Sequence, residues 1–214
     1  MHLTFENNVN DASALGNNGT IGNSSNVTYV AGKVGQAIQF KGVDGATQIT
    51  IANSPSLHFN REMTVSYWLR MDSHRGEEGN YQSTIPQGIH AIFGKQNDHS
   101  GDLFSYLTTD NGKVNLGVGG QGSNVNGVFA VGEWVHVTQV LSSNSLKMYI
   151  NGSKLVDTTL AQPFDFSVAN TKNLTIGRLG NGWYPLYGTL DDFRMYNTAL
   201  SDNQIQALYQ LGEN

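Results

Sequence analysis

The sequence lacks cysteine altogether, has only four prolines, and has few charged residues, which make up 14% of its 214 positions. Without cysteine, disulfide bonds and cysteine-ligated zinc are excluded. No apolar run in the sequence approaches the roughly 20 residues that a membrane-spanning helix needs. The net charge of −5 argues against binding to nucleic acid or to an anionic membrane, because both require clustered lysine and arginine.

The residue patterns of common hydrolytic and phosphate-binding enzymes are also missing. Glycoside hydrolases need two positioned carboxylates, but Glu77 and Glu78 lie in a polar loop and Asp191 and Asp192 are expected to point to opposite faces of one strand. The sequence has neither a His-Glu-x-x-His zinc motif nor a glycine-rich phosphate loop. We therefore predict that the chain is not an enzyme.

Glycine is abundant, with 25 residues, and asparagine is nearly as frequent. Both residues tolerate positive φ and are typical of tight turns between short strands. Alternating apolar and polar residues predict a β-rich chain, with strands at residues 2–6, 35–40, 47–51, 63–70, 91–95, 103–108, 113–117, 134–141, 146–151, 174–177 and 189–196.

Turn and cap signals complete this assignment. The pairs Asn111-Gly112 and Asn151-Gly152 predict tight turns between strands. Ser201 and Gln204 form a capping-box pattern that predicts a short C-terminal helix. Because the sequence shows no flexible linker, charge run or repeat, we predict a single domain over residues 1–214.

Four groups of segments, taken in chain order, carry a resemblance to a known family. They are residues 37–44 with 49–51 and 54–57, then 63–70, then 132–137 with 146–152, and finally 174–178 with 188–201. Together they resemble the laminin G-like family within the concanavalin A-like lectin and glucanase fold. The resemblance implies an all-β jelly-roll β-sandwich of two antiparallel sheets with a short C-terminal helix. Hydrolases of this fold typically carry a Glu-x-Asp-x-x-Glu strand, which this sequence lacks.

Oxygen-bearing side chains near the N-terminus and one late aspartate suggest a calcium site. Strand alternation places Asp191 on one face with the apolar residues Phe193 and Met195, and an inward carboxylate is unfavourable unless it is paired or bound to a metal. The resemblance implies that the first and last strands lie close together and hold calcium between them. The expected ligands are Glu6, Asp11, Asn17, Asn18 and Asp191. The alternative is that these oxygens accept backbone N–H groups in turns.

Three loops carry residues that suit carbohydrate binding, in which an aromatic ring stacks on a sugar beside planar polar groups. The first loop places three aromatic residues close together, the second is the long polar stretch at 72–88, and the third is the polar stretch at 97–102. The alternative is that Trp183 caps the edge of the sandwich and that the loops are only solvated. The candidates are Trp183, Tyr184 and Tyr187 in the first loop, His74, Arg75 and Tyr81 in the second, and Asp98 in the third.

These observations predict a calcium-stabilised, lectin-like carbohydrate-binding module of a larger exported bacterial protein, either a polysaccharide-degrading enzyme or an adhesin. The start of the chain reads as a strand and not as a signal peptide, so we expect a domain excised from a secreted or cell-surface precursor. The expected partner is a glycan or polysaccharide, with no nucleic acid, no membrane insertion and a monomeric state. The alternative is a structural or protein-binding adhesin domain without a sugar site.

Overall fold

The computed structural model describes residues 1–43, 47–73, 89–95, 103–108, 113–118, 121–125, 129–180, 182 and 184–213. The described part is built mainly from β-strands, with two helices. The strands are β1 (His2–Leu3), β2 (Gly19–Ile21), β3 (Val27–Ala31), β4 (Gln36–Lys41), β5 (Ile49–Ile51), β6 (Glu62–Met71), β7 (Ile89–Lys95), β8 (Leu103–Thr108), β9 (Lys113–Val118), β10 (Gln121–Val125), β11 (Trp134–Ser142), β12 (Ser145–Ile150), β13 (Ser153–Thr159), β14 (Leu174–Ile176) and β15 (Tyr187–Tyr196). The helices are α1 (Phe166–Ala169) and α2 (Asp202–Leu211).

The strands form two antiparallel sheets. Sheet A has eight strands in the order β13-β12-β11-β6-β15-β4-β3, with β1 paired to β15. Sheet B has seven strands in the order β10-β9-β8-β7-β14-β5-β2. The predicted jelly-roll β-sandwich with a short C-terminal helix is confirmed.

A continuous apolar core fills the space between the inner faces of the sheets. Phe193 of sheet A lies at its centre, with its ring centroid 5.8 Å from Tyr67 of the same sheet and 5.9 Å from Phe93 of sheet B. These three side chains are at most 1% exposed. Such aromatic contacts bury large apolar areas and hold the two sheets together.

Helix α2 covers part of the outer face of sheet A. Its predicted capping box is confirmed, because Ser201 accepts the backbone N–H of Gln204 and the Gln204 side chain accepts the N–H of Ser201. The buried Ile205 packs against Val140 and Tyr149 of the sheet. The helix therefore closes a second, smaller apolar layer on the outside of sheet A.

The N-terminal strand is shorter than the sequence pattern predicted. Strand β1 ends at Leu3, because Phe5 and Asn7 both have φ of +57°, which breaks an extended strand. His2 still pairs with Arg194, and Leu3 with Phe193. The expectation that the first strand lies beside the last is therefore confirmed.

Candidate functional site

A β-bulge in β15 determines where its two aspartates point. Pairing with β6 shifts register between Asp191 and Arg194, and Asp192 has φ of +48°. Because of the extra residue, Asp191 pairs with Trp68, whose ring packs on α2 outside the core. The prediction that Asp191 shares the core face of Phe193 was wrong, since alternation does not hold across a bulge.

The same bulge corrects the expectation that the two aspartates point to opposite faces. Asp192 pairs through both carboxylate oxygens with Arg194 and also contacts the imidazole of His2. Arg194 pairs with Ser66, which bonds to His136 beside Trp68 on the outer face. Burial raises the pKa of the Asp192 carboxyl, but its bonds to His2 and Arg194 outweigh burial and hold that pKa below its usual range. The charge of the Asp192 carboxylate is thus balanced by its partners, and the role of this residue is structural.

The predicted calcium ligands fall into two groups, the first of which forms the N-terminal loop. Asp11 accepts the backbone N–H groups of His2, Ser13 and Asn17 at 2.8–3.0 Å. Asn18 accepts the N–H of Asp11 at 2.9 Å. The pKa of Asp11 is lowered, because these hydrogen bonds outweigh the opposing effect of burial. The side chains of Asp11 and Asn18 therefore act as turn formers here.

Asn17 belongs to the same group and links this loop to the next. It is 4% exposed, and its Oδ1 accepts the hydroxyls of Ser54 and Ser56 at 2.7 and 2.8 Å. This carbonyl oxygen already has two donors, which fills its ordinary capacity. Asn17 thus fixes the N-terminal loop against residues 54–56.

The second group, Glu6 and Asp191, meets at the turn between β3 and β4. Asp191 accepts the N–H of Val34 at 2.8 Å, and Glu6 accepts the N–H of Gln36 at 3.1 Å. Gly35 of this turn has φ of +62°, and a Cβ there would overlap the Glu6 carboxylate. The approach of Glu6 to the turn thus depends on glycine. The turn at residues 32–36 brings together two acidic side chains that are 185 positions apart in the sequence.

Asp191 is the buried member of this pair, with 0% exposure. Burial raises the pKa of its carboxyl to about 6, and the backbone N–H groups of Val34, Asp192 and Lys33 offset burial only in part. The Lys33 ammonium pairs instead with Glu213, at 2.6 Å. A divalent cation at this turn would therefore find one exposed and one buried carboxylate. Within the described ranges, no three His, Asp or Glu side chains converge on one point.

The aromatic candidates of the 182–187 loop lie on different sheets. Tyr187 begins β15 in sheet A, where it pairs with Lys41. Tyr184 has φ of +56°, and its carbonyl oxygen accepts the N–H of Ala91 in sheet B at 2.8 Å. The expectation that both residues lie in one loop is wrong for Tyr187, which belongs to β15, whereas sugar binding by either residue stays a prediction.

The remaining ligand candidates lie outside the described residues. Asp72, the first residue of the 72–88 stretch, is described by the structure. It accepts hydrogen bonds from Arg70, Gln39 and Thr189 at 2.8–3.1 Å. The Asp72 side chain is therefore held against residues of sheet A. The candidates outside the described residues are Trp183, His74, Arg75, Tyr81 and Asp98.

The outer face of sheet B carries an aromatic surface that the sequence interpretation missed. Phe104 and Tyr106 of β8 are partly exposed, and their rings stack with centroids 5.6 Å apart and an interplanar angle of 20°. The Tyr106 side chain interacts with that of Tyr184, and burial raises the pKa of both phenols. We call these three residues the aromatic shelf.

The strand register leaves space beside the aromatic shelf. Phe104 pairs with Gly94 on β7 and with Gly117 on β9. Both neighbours across the ladder therefore lack a side chain, so the Phe104 ring stands between two bare stretches of backbone. Beyond Gly94, the next residue in the row is Thr175, whose hydroxyl donates to the Gly94 carbonyl at 3.2 Å. A flat apolar surface of this kind suits a sugar ring.

The alternation of residue types over 103–108 already indicates that Phe104 and Tyr106 face outward. Leu103, Ser105 and Leu107 point inward and are at most 1% exposed, so the aromatic residues between them had to face outward. Two large aromatic residues on the outer face of one strand are a stronger signal than one aromatic residue in a loop.

Residues 43–206 match the family model described as the concanavalin A-like lectin/glucanases superfamily, and the chain belongs to this family. Among curated proteins it resembles sialidase B of Streptococcus pneumoniae, with 24% identity over 148 residues that cover 60% of this chain and 21% of that protein. It also resembles anhydrosialidase of Macrobdella decora, with 29% identity over 150 residues that cover 58% of this chain and 19% of that protein. The chain thus spans about a fifth of the length of these curated relatives.

Solved structures share the fold at low sequence identity. Domain 4 of AbnA, an extracellular arabinanase from Geobacillus stearothermophilus solved with arabinotriose, has a TM-score of 0.70 at 21% identity, covering 98% of this chain and 97% of that one. The binding domain of Paraclostridial Mosquitocidal Protein 1 has a TM-score of 0.68 at 19% identity, covering 94% and 48%. In the described part of this chain, no helix has the length and apolar character required to cross a membrane.

Proposed function

We propose that this chain is a lectin-like, carbohydrate-binding module of a larger exported bacterial protein. The single observation that carries the proposal is the aromatic shelf, where Phe104 and Tyr106 stack on the outer face of sheet B and Tyr106 acts electrostatically on Tyr184. Sugar rings have an apolar face that stacks on aromatic side chains, and such surfaces usually bind ligands. Glycine positions on both sides of Phe104 leave room for the ring edges.

The proposed module has no catalytic role of its own. Hydrolysis of a glycosidic bond needs two carboxyl groups on either side of the bond. The paired carboxylates of β15 do not meet this requirement, because Asp192 is held by Arg194 and His2 while Asp191 lies at the 32–36 turn. The chain's similarity to a part of two sialidases and to one domain of an arabinanase supports an accessory role beside a separate catalytic domain.

The proposal includes a calcium ion at the 32–36 turn, held by the carboxylates of Glu6 and Asp191. Calcium takes about 6–8 oxygen ligands, so backbone carbonyls of the turn and water would complete the shell. Bound there, the ion would neutralise the buried Asp191 and tie the N-terminal segment to β15. Its role is to stiffen the fold. This smaller ligand set replaces the five residues expected from the sequence, since Asp11, Asn17 and Asn18 bond to the N-terminal loop and to residues 54–56 and not to the 32–36 turn.

Glycan binding is tested with arabinotriose first, because the arabinanase domain was solved with it, and then with an array of plant, bacterial and animal glycans. We expect at least one glycan to bind, and the variant Tyr106→Ala to weaken that binding at least 10-fold. Tyr187→Ala is the matched control, since it removes a partly exposed tyrosine from the other sheet. If no glycan binds, the structural or protein-binding role is favoured instead.

The calcium site is tested by thermal unfolding in 1 mM calcium and in EDTA, conditions at roughly the scale where extracellular sites saturate. We expect calcium to raise the melting temperature by several degrees, as a ligand of the folded state does. The effect should vanish in Asp191→Asn and persist in Asp157→Asn, which removes an exposed aspartate paired with Lys154. A melting temperature that is the same in both solutions would rule the ion out.

A further inference from the structure

A groove on the surface shares no lining residue with the aromatic shelf or the 32–36 turn. It runs between residues 56–62, which lead into β6, and residues 194–197 at the end of β15. Two adjoining cavities of about 530 and 470 Å³ form it and share Asn197 in their walls. We call it the Asn197 groove. Its size lies in the range of small-molecule sites.

Arg61 is the positively charged side chain that lines the first cavity. The exposed Arg61 guanidinium makes no ion pair or hydrogen bond with any residue that the structure describes. The ring of His58 also lines this cavity, and its buried Nε2 has no hydrogen-bond partner among the residues that the structure describes. The carboxylate of Glu62, in contrast, already accepts the Thr198 hydroxyl at 3.1 Å.

The second cavity supplies an apolar wall. Leu57, Phe59 and Met195 are buried core residues whose edges line it, and Leu15 is 56% exposed beside them. The one arginine here, Arg194, is already bound through two N–H groups to Asp192. An incoming anion would therefore find its available guanidinium at Arg61, and its apolar part would lie toward the second cavity.

We propose that the Asn197 groove binds a carboxylated sugar. The carboxylate pairs with the guanidinium of Arg61, and the sugar ring lies against the apolar wall. Arginine is the side chain best suited to this contact, because its planar fork of N–H groups matches two carboxylate oxygens. Asn60 and Asn197, both exposed in the groove, offer amides for the ring hydroxyls. This site shares no residue with the proposed glycan or calcium sites.

The test uses sodium D-galacturonate and sodium D-glucuronate as probes, with D-galactose, D-glucose and sodium acetate as references. Binding is measured by saturation-transfer NMR and by backbone amide shifts of the full chain. We expect at least one uronate to bind, with the largest shifts at residues 58–62 and 197. The neutral sugars and acetate should bind at least 10-fold more weakly. If neither uronate binds, or if acetate binds as well as the uronate, the proposal is overturned.

Two variants locate the site. Arg61→Gln removes the charge of an exposed side chain, so the fold should persist, and uronate affinity should fall at least 10-fold. Lys147→Gln is the matched control on β12, and it should bind the uronate as the parent chain does. Tyr106→Ala should also leave uronate binding unchanged, which separates this site from the aromatic shelf. Equal affinity in Arg61→Gln and the parent chain would contradict the assignment.

Discussion

Aromatic residues on the outer faces of the two sheets differ in how far they are exposed to solvent. On sheet A, Trp68 points away from the core yet is only 1% exposed, because α2 lies over it and Tyr209 packs 5.7 Å from its ring. On sheet B, Phe104 and Tyr106 also point away from the core, but they remain partly exposed. Aromatic residues thus stabilise the covered face of sheet A and stay partly exposed on the outer face of sheet B.

The two faces differ in what their aromatic residues contribute to the stability of the fold. A covered aromatic residue contributes burial energy to the fold, whereas an exposed one gains its burial only when a ligand arrives. Gly212 marks the tight cover on sheet A, since a Cβ there would come within 2.5 Å of the Trp68 indole nitrogen. On sheet B, glycine instead lies beside the exposed Phe104. The folding stability of single variants tests this contrast.

The largest effect is expected from Trp68→Ala on the covered face. The substitution removes the ring on which α2 rests, and it should lower the free energy of unfolding by about 3–5 kcal/mol. Urea unfolding followed by fluorescence and circular dichroism measures the change. Trp68→Phe, which keeps an aromatic ring, should recover a good part of the loss. A loss below about 1 kcal/mol would mean that α2 does not depend on this contact.

The second-largest effect is expected from His136 on the covered face, which makes the folding stability depend on pH. Burial beside Trp68 and Tyr209 lowers the pKa of His136 to about 4, against an ordinary value of 6.5. Between pH 6.5 and 4 the unfolded chain takes up this proton and the folded chain does not, so stability falls as pH drops through this window. The expected contribution of His136 is on the order of 1–3 kcal/mol.

The measurement compares the chain with His136→Gln in urea at pH 7 and pH 4.5. The stability lost on acidification should be smaller in the variant. Asp191 acts with the opposite sign, because its raised pKa of about 6 favours the folded state as pH falls toward 3.8. Since Asp191 is present in both proteins, its effect largely cancels in the difference. An equal loss in both proteins would show that His136 does not control the acid response.

A smaller effect is expected from Ser201→Ala at the start of α2. The change removes the side chain that caps the Gln204 N–H, and it should lower stability by about 1 kcal/mol. Ser201→Asp keeps an N-cap acceptor and serves as the control, with stability close to that of the parent. If alanine and aspartate behave alike in urea unfolding, the cap makes no net contribution.

The smallest stability effect is expected from Tyr106→Ala on the open face. Because the ring is partly exposed and stacks mainly on Phe104, its loss should change stability by about 1 kcal/mol or less. Urea unfolding of this variant beside Trp68→Ala compares the two faces directly. A loss as large as that of Trp68→Ala would show that the aromatic shelf is a structural layer and not a binding surface.

Much of the fold could be predicted because its signals are local. The β8 boundaries were predicted to the residue, and those of β6 and β11 to within one residue at each end. The strands that were not predicted, β2, β3, β10 and β13, lie at or near the sheet edges. On β13 no residue is fully buried, so its sequence lacks the apolar alternation by which strands are found.

The candidate site could be predicted only in part, because it depends on backbone details and long-range contacts. Asp191 was identified, but its direction was not, since a bulge at Asp192 reverses the alternation. Glu6 was identified as a ligand candidate, but its meeting point with Asp191 at the 32–36 turn is a tertiary contact. Phe104 and Tyr106 were assigned to the correct strand, and only the packed inner face showed that they point outward.

The sequence by itself determined the fold class, most strand positions and the capped C-terminal helix. These follow from the alternation of apolar residues, the turn chemistry of glycine and asparagine, and one capping box. Tertiary structure decided which carboxylates meet, which aromatic residues are covered and where donors remain without partners. The reason is physical: alternation and capping act between neighbours in the chain, whereas the environment of a side chain depends on segments that only folding brings together.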